Sequence, residues 1–266
     1  MPDSIITLTT DFGYKDPFVG IMKGVILSIK HSVNIVDITH LITPQNILEA
    51  SFVIENSFSF FPRKTIHVVV VDPGVGSVRR PIIVADENYF FVGPDNGVFS
   101  CIYRLIENPV VVHITSEQYF LSWRGPTFHG RDIFAPVAAW LSKGIEISNF
   151  GVQIYDYVTV QLPDLRKPAE NIIDGEVIYI DSFGNLITNI SAREIEDLSR
   201  VNPDRKPEVV VKGQEAPLKN YYLQATDDRL YSIINSFRYL ELFVNKGNAS
   251  AASGITVGEK VSVILS

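Results

Sequence analysis

The stretch Ile5-Ile6-Thr7-Leu8-Thr9-Thr10-Asp11-Phe12-Gly13, followed by Asp16-Pro17, decides how the chain reads. Ile5 to Leu8 is rich in β-branched residues, which pack well on a pleated surface, and the polar turn behind it ends the strand. Asp16 fits a helix N-cap and Pro17 the first helical position, where a missing N–H is tolerated. Phe18, Ile21, Met22, Val25, Ile26 and Ile29 then recur at helical spacing on one face.

Outward from there the alternation continues. Val33 to Ile38 reads as a strand, Ile47 to Phe58 as a helix and Thr65 to Val71 as an apolar strand. Strand-like Pro81 to Ala85 and Tyr89 to Val92 follow, then a helix from Asn96 to Leu105 and a strand from Val110 to Ile114. A helix from Asp132 to Leu141 carries Pro136, which predicts a kink or a late start. This order is the α/β signature, with a mainly parallel sheet between helices.

Pro163-Asp164-Leu165-Arg166-Lys167-Pro168 breaks the pattern and reads as a linker. Beyond it come short strands: Gly175 to Ile180, Leu186 to Ile190, Val209 to Val211, Tyr239 to Val244 and Lys260 to Leu265. One helix intervenes at Ala192 to Leu198, opened by a capping box of Ser191 and Glu194. The expectation is an α/β domain over 1–163, a linker over 164–170 and a smaller antiparallel β-barrel domain over 171–266.

The composition narrows the function. Acidic residues outnumber basic ones, 30 to 23, and no run of Lys or Arg stands out. Nucleic acid and anionic membranes need clustered positive charge, so neither is an expected partner. No apolar run is long enough to cross a bilayer. The opening Met1-Pro2-Asp3 has no basic-then-apolar leader, and the single cysteine, Cys101, excludes an internal disulfide framework. A cytoplasmic location is expected, with Cys101 read as a buried thiol against the alternative of a nucleophile.

Three aspartates follow apolar strands: Asp11, Asp72 and Asp181. Each reads either as a turn residue or as a ligand group beyond the carboxyl end of a strand. Asp72-Pro73-Gly74-Val75-Gly76 lets the backbone approach a ligand closely, yet it lacks the third glycine of a dinucleotide fingerprint and the Gly-Lys-Ser/Thr end of a P-loop. Arg79 and Arg80 lie within reach of Asp72, and such a pair would hold the carboxylate ionised and oriented. Of five histidines, His129 in Thr127-Phe128-His129-Gly130-Arg131-Asp132 stands apart, at a loop-to-helix junction beside glycine and charge; it reads as functional or as a capping residue. Asp11, Asp72, His129 and Asp132 could be hard metal ligands, but no paired-histidine spacing exists and Arg79 competes with a cation, so no metal is expected. Asp181-Ser182-Phe183-Gly184-Asn185 offers a phenyl ring and an amide, which suit a base; its alternative is a hairpin turn.

These segments together resemble the S-adenosylmethionine hydroxide adenosyltransferases, the SAM hydrolases related to fluorinase and chlorinase. The resemblance rests on Thr9-Thr10-Asp11-Phe12-Gly13, Val71-Asp72-Pro73-Gly74-Val75-Gly76, Gly93-Pro94-Asp95-Asn96-Gly97 and Phe128-His129-Gly130-Arg131-Asp132. In the second domain it rests on Asp181 to Asn185, Thr188-Asn189 and Asn235-Ser236-Phe237. It implies hydrolysis of S-adenosyl-L-methionine to adenosine and methionine by attack of water or hydroxide at the 5′ carbon, with no cofactor. It also implies a homotrimer with sites between subunits. Asp72, Arg79 and His129 match the catalytic group, and Asp11 the carboxylate on the ribose hydroxyls. Asp16, Asp181 and Ser236 match the methionine end, and Phe183 and Asn185, with backbone near Asn248 and Ala249, the adenine pocket; Phe128 lies in the matched substrate-binding motif. The fluorinase's carboxylate-binding arginine falls at Phe237, with Arg238, one place later, as the candidate substitute. The alternatives are a non-catalytic adenosine or S-adenosylmethionine binding module, a metal-dependent hydrolase and a 5′-halogenating relative. A halide site has no use for a base, and the Asp72 carboxylate would repel an anion.

Overall fold

The computed structural model describes residues 4–201 and 203–266. Met1, Pro2 and Asp3, read above for a leader, lie outside them. The chain divides into two units, one ending at Leu162 and the other running from Pro163.

The first unit is built on β1 (Ser4–Thr10), α1 (Phe18–Ile29), β2 (Val33–Thr39), α2 (Ile47–Glu55), β3 (Ile66–Val70), β4 (Pro81–Ala85), β5 (Phe90–Pro94), α3 (Ser100–Leu105), β6 (Val110–Ile114), α4 (Ala135–Ser142) and β7 (Gly151–Gln153). Its seven strands form one sheet in the order β2-β1-β3-β5-β4-β6-β7. The parallel pairing expected from the alternation holds for β2, β1, β3 and β5. It gives way at β4, which runs antiparallel to β5 and β6, and at β7. The sheet is therefore mixed. No helix separates β3, β4 and β5, so nothing forces a crossover there, and short connections favour antiparallel neighbours.

Apolar side chains on one sheet face pack with α1 and α4; those on the other pack with α2 and α3. In α1 the buried residues are Val19, Met22 and Ile26. Phe18 and Ile21, expected on the inner face, are 40% and 38% exposed. Pro17, not Asp16, occupies the N-cap, and no side chain caps the helix. The expected helix through Pro136 opens as a π-turn over Gly130–Phe134, and Pro136 falls in the first turn of α4, where its missing N–H leaves no bond unmade.

The second unit contains β8 (Arg166–Ala169), β9 (Ile172–Ile180), β10 (Leu186–Ser191), α5 (Ala192–Val201), β11 (Pro207–Val211), β12 (Gln214–Glu215), β13 (Leu218–Lys219), β14 (Leu230–Ile234), β15 (Tyr239–Val244), α6 (Ala249–Ser253) and β16 (Lys260–Leu265). The sheet order is β12-β11-β16-β9-β10-β15-β14-β13, with β8 added beside β9. The stretch read as linker thus holds an edge strand, and an edge tolerates Pro168. The pairing is antiparallel save for β13 with β14, and the sheet curls around its own apolar core as a half-barrel. The capping box holds α5 as its sequence predicts: Ser191 N donates to Glu194 Oε2 at 2.7 Å and Glu194 N to Ser191 Oγ at 3.4 Å.

Candidate active site

Two loops of the first unit bring three side chains together. The Asp72–Arg79 loop leaves β3 and returns to β4; the other leads into the Gly130 turn. They touch at Gly76, whose φ of +78° is left-handed and whose Cα faces the carbonyl oxygen of Pro126 so closely that a Cβ could not fit. Arg79 Nε donates to both carboxylate oxygens of Asp72, at 3.0 and 2.9 Å, and Nη2 donates to Oδ2. Nη2 also lies 2.8 Å from His129 Nδ1. The Arg79 and Asp72 side chains are only 8% and 5% exposed. The guanidinium sits 5.2 Å from the Phe134 ring centroid, and Nη1 is buried with no protein acceptor.

This geometry fixes the imidazole. A guanidinium only donates, so Nδ1 of His129 accepts and the neutral ring carries its proton on Nε2. Burial first, and the Arg79 cation second, pull the His129 pKa below the ordinary imidazole value. Arg80 does not join: it bonds Asp95 Nε-to-Oδ2 at 2.8 Å and Asp156 Oδ1 at 2.8 Å. Asp132 is fully buried and held by Arg131 and by Gly125 N, so it is a structural anchor of the loop.

Asp11 leaves β1 in the turn before α1, with Oδ2 accepting from Gln45 N at 2.8 Å. Asp16, exposed, keeps its carboxylate free of capping. Phe128 packs edge-on against Phe12 and Phe18, at 5.8 and 5.2 Å between centroids.

In the second unit Asp181 folds the Phe183 turn. Its Oδ1 accepts from Phe183 N at 2.9 Å and Asn185 N at 2.8 Å, and its Oδ2 accepts from the Asn185 amide at 3.1 Å. Phe183 is 76% exposed, a large ring presented to its surroundings. Gly184, at φ +84°, admits the Asn248 side chain against its Cα, and Ser250 N donates to its carbonyl at 3.0 Å. Phe183, Asn185, Asn248 and Ala249 are thus neighbours. Asn248 also caps α6 through Ala251 N. Ser236 is exposed in the turn after β14. The guanidinium of Arg238 pairs with Glu196 at 2.9 Å, and both side chains are exposed.

Residues 6–151 match the profile of the SAM hydroxide adenosyltransferase N-terminal domain, and 175–262 that of the C-terminal domain. The chain belongs to the SAM hydroxide adenosyltransferase family. Among curated members it is 33% identical to the (R)-S-adenosyl-L-methionine hydrolase of Salinispora tropica, over 98% of each chain. It is 34% identical to that of Methanocaldococcus jannaschii, over 98% of this chain and 95% of the other. The fluorinase of Nocardia brasiliensis is 24% identical over 97% and 96%. A crystal structure of an uncharacterized conserved protein from Thermotoga maritima superposes with a TM-score of 0.90 at 33% identity, covering 97% of this chain and 99% of that one.

Sequence reasoning missed the buried carboxylate of Glu241 beside the Asn235–Ser236 turn. It lies buried in β15, accepting from Tyr222 Oη at 2.8 Å and Asn235 Nδ2 at 3.2 Å. Burial, with help from nearby Asp181, raises its pKa against the lowering effect of those two donors. A lone charge inside Tyr239-Leu240-Glu241-Leu242-Phe243-Val244 was the available signal. Among the described residues, no group of three or more His, Cys, Asp and Glu is arranged to hold a metal ion. Cys101 is buried, with its thiol pushed up to about 11 by burial and then by Glu55.

Proposed function

We propose that the protein hydrolyses S-adenosyl-L-methionine to adenosine and L-methionine. The observation that carries this is the Asp72–Arg79–His129 cluster, in which a loop holding Asp72 and Arg79 is joined by a hydrogen bond to His129, fifty residues on from Arg79. Curated family members that bear the hydrolase name span nearly the whole chain and support the same reading.

The substrate is a sulfonium, so its sulfur leaves as a neutral thioether and needs no acid. The nucleophile is the difficulty. Water must be stripped of solvent and aimed in line, and such positioning contributes roughly 7–11 kcal/mol in favourable cases. The two N–H groups of Arg79 Nη1 are buried without a protein acceptor, and a buried donor requires one. In this scheme they bind the attacking oxygen and stabilise its developing charge. Asp72 and His129 are the two bases of the cluster, and one of them takes the water proton. His129 Nδ1 and both Asp72 oxygens already accept from Arg79, so whichever base takes the proton loosens its bond to the guanidinium. The oxygen–C5′ bond forms, the C5′–sulfur pair returns to sulfur, and the water proton passes to one of the two bases of the cluster, Asp72 or His129, and then to solvent.

Asp11 would hold the ribose hydroxyls. Asp16, Asp181 and Ser236 would hold the methionine end, and Phe183, Asn185, Asn248 and Ala249 the adenine. The same reading carries a homotrimer with sites between subunits, a cytoplasmic location, a closed C-terminal barrel and action without a metal. The barrel is supported by β12 and β13, which end the sheet order yet follow one another in the chain. Metal-free action is supported by Arg79, which occupies the carboxylate that a cation would need.

Liquid chromatography of the purified protein with S-adenosylmethionine tests the proposal. Adenosine and methionine are expected, unchanged by chelator and by high halide. Detection of 5′-chloroadenosine, or no turnover, would overturn it. Asp72→Ala should lose about 10²–10³ in kcat, the scale of removing a group that acts in the transition state; a wild-type rate would reject the scheme.

A further inference from the structure

A polar chain outside the cluster runs from the partly exposed Lys23 and Asp37 to buried His40 and Thr10 and ends on the turn that carries Asp11. Lys23 Nζ, on α1, lies 2.6 Å from Asp37 Oδ2, on β2. Asp37 Oδ1 faces His40 Nε2 at 3.1 Å, with the N–H off line. His40 Nδ1 lies 2.8 Å from Thr10 Oγ1, and Phe12 N donates to that same oxygen at 3.2 Å. His40 closes the loop with its backbone, its carbonyl accepting from Gly13 N at 2.7 Å. His40 and Thr10 have no exposed surface.

The directions of these bonds follow from chemistry. The Asp37 carboxylate only accepts, so the His40 proton sits on Nε2 facing it. Nδ1 of the neutral ring then accepts from the Thr10 hydroxyl, which accepts in turn from Phe12 N. Burial would push the Asp37 carboxyl up, but the Lys23 hydrogen bond and the nearby His40 outweigh it and hold its pKa below the ordinary carboxylate value. A break in register makes the meeting possible. Leu8 pairs with Asp37 but Thr9 with Thr39, so Ile38 is an extra residue in β2. Such a bulge re-aims the side chains beyond it. Asp37 and His40 then face one another three residues apart.

Both flanks of Asp11 are therefore pinned: Thr10 and Phe12 by the histidine chain, and the carboxylate itself by Gln45 N. Gln45 takes a left-handed φ of 67°, which a residue with a side chain adopts at a cost. We propose that Asp37 and His40, acting through Thr10, are positioning residues that aim the Asp11 carboxylate at the nucleoside. The inference rests on the reading of Asp11 as a ligand group.

Steady-state kinetics of Thr10→Val, Thr10→Ser, Asp11→Asn and Thr10→Val/Asp11→Asn in the full chain test it. Valine keeps the shape and loses the hydroxyl. Thr10→Val should raise KM for S-adenosylmethionine about five- to tenfold, the scale of one misplaced hydrogen bond, and change kcat by less than about twofold. Thr10→Ser should restore the wild-type KM. The double variant should be no worse than Asp11→Asn, because the two changes act through one carboxylate. A wild-type KM in Thr10→Val beside a raised KM in Asp11→Asn overturns the relay alone, as do additive effects or a failed serine rescue. A wild-type KM in Asp11→Asn overturns the ligand reading and the relay with it.

Discussion

Arg79 has five N–H groups, and three are engaged: Nε and one Nη2 hydrogen by Asp72, the other Nη2 hydrogen by His129. That arrangement uses the planar fork of a guanidinium, which the single ammonium of lysine does not reproduce. His67 shows the opposite use of an imidazole. It is buried in β3 among Phe58, Phe61, Tyr89 and Phe91, with Nδ1 2.8 Å from Thr7 Oγ1 and Nε2 unpartnered. Burial lowers its pKa to about 3. Above pH 6.5 both folded and unfolded chains hold it neutral. As pH falls from 6.5 towards 3, only the unfolded chain takes the proton, and stability drops by roughly 1.4 kcal/mol per pH unit. His67→Phe should remove that part of the slope. Denaturant midpoints between pH 4.5 and 7.5 check it, and parallel slopes in the two proteins would refute the assignment. His129 and Asp72 were legible in sequence because glycine and charge surround them. His40 and Asp37 were not, since only the register shift at Ile38 brings them together.

At the level of elements, alternating apolar segments showed the strands and helices but not their directions. Periodicity reports which face is buried, not which neighbour a strand pairs with, and so the antiparallel half of the first sheet was not readable. The loop contact at Gly76 was not readable: the glycines suggested close approach to a ligand, whereas Gly76 lies against the carbonyl oxygen of Pro126. Gly76→Ala should destabilise the fold by about 1–3 kcal/mol, from the left-handed φ and the clash with a backbone oxygen together. Because one loop holds Arg79 and the other His129, kcat should fall as well. Thermal melting with kinetics below the melting range separates the two effects; a variant with wild-type kcat would mean that the loops are spaced by something else.

The whole molecule consists of two units, each with its own apolar core. The change in composition near Pro163 marked the boundary in sequence, whereas the strand within 164–170 was masked by its prolines and charges. Since the core around Ile173, Leu186, Leu240 and Val263 draws on the second unit's own strands, a fragment spanning 163–266 should melt cooperatively by circular dichroism. A gradual, baseline-like melt would show that it depends on the rest of the chain. The ends of its nine-stranded sheet bear on how the protein behaves when crowded or warmed. The terminal strands Gln214–Glu215 and Leu218–Lys219 are two residues each, and the added edge at Arg166–Ala169 carries two cations and a proline. Fibrils recruit new chains along lengthy, uncharged backbone rims. Among the described residues this half of the molecule offers none, which favours loss of activity by unfolding over loss by amyloid-like stacking.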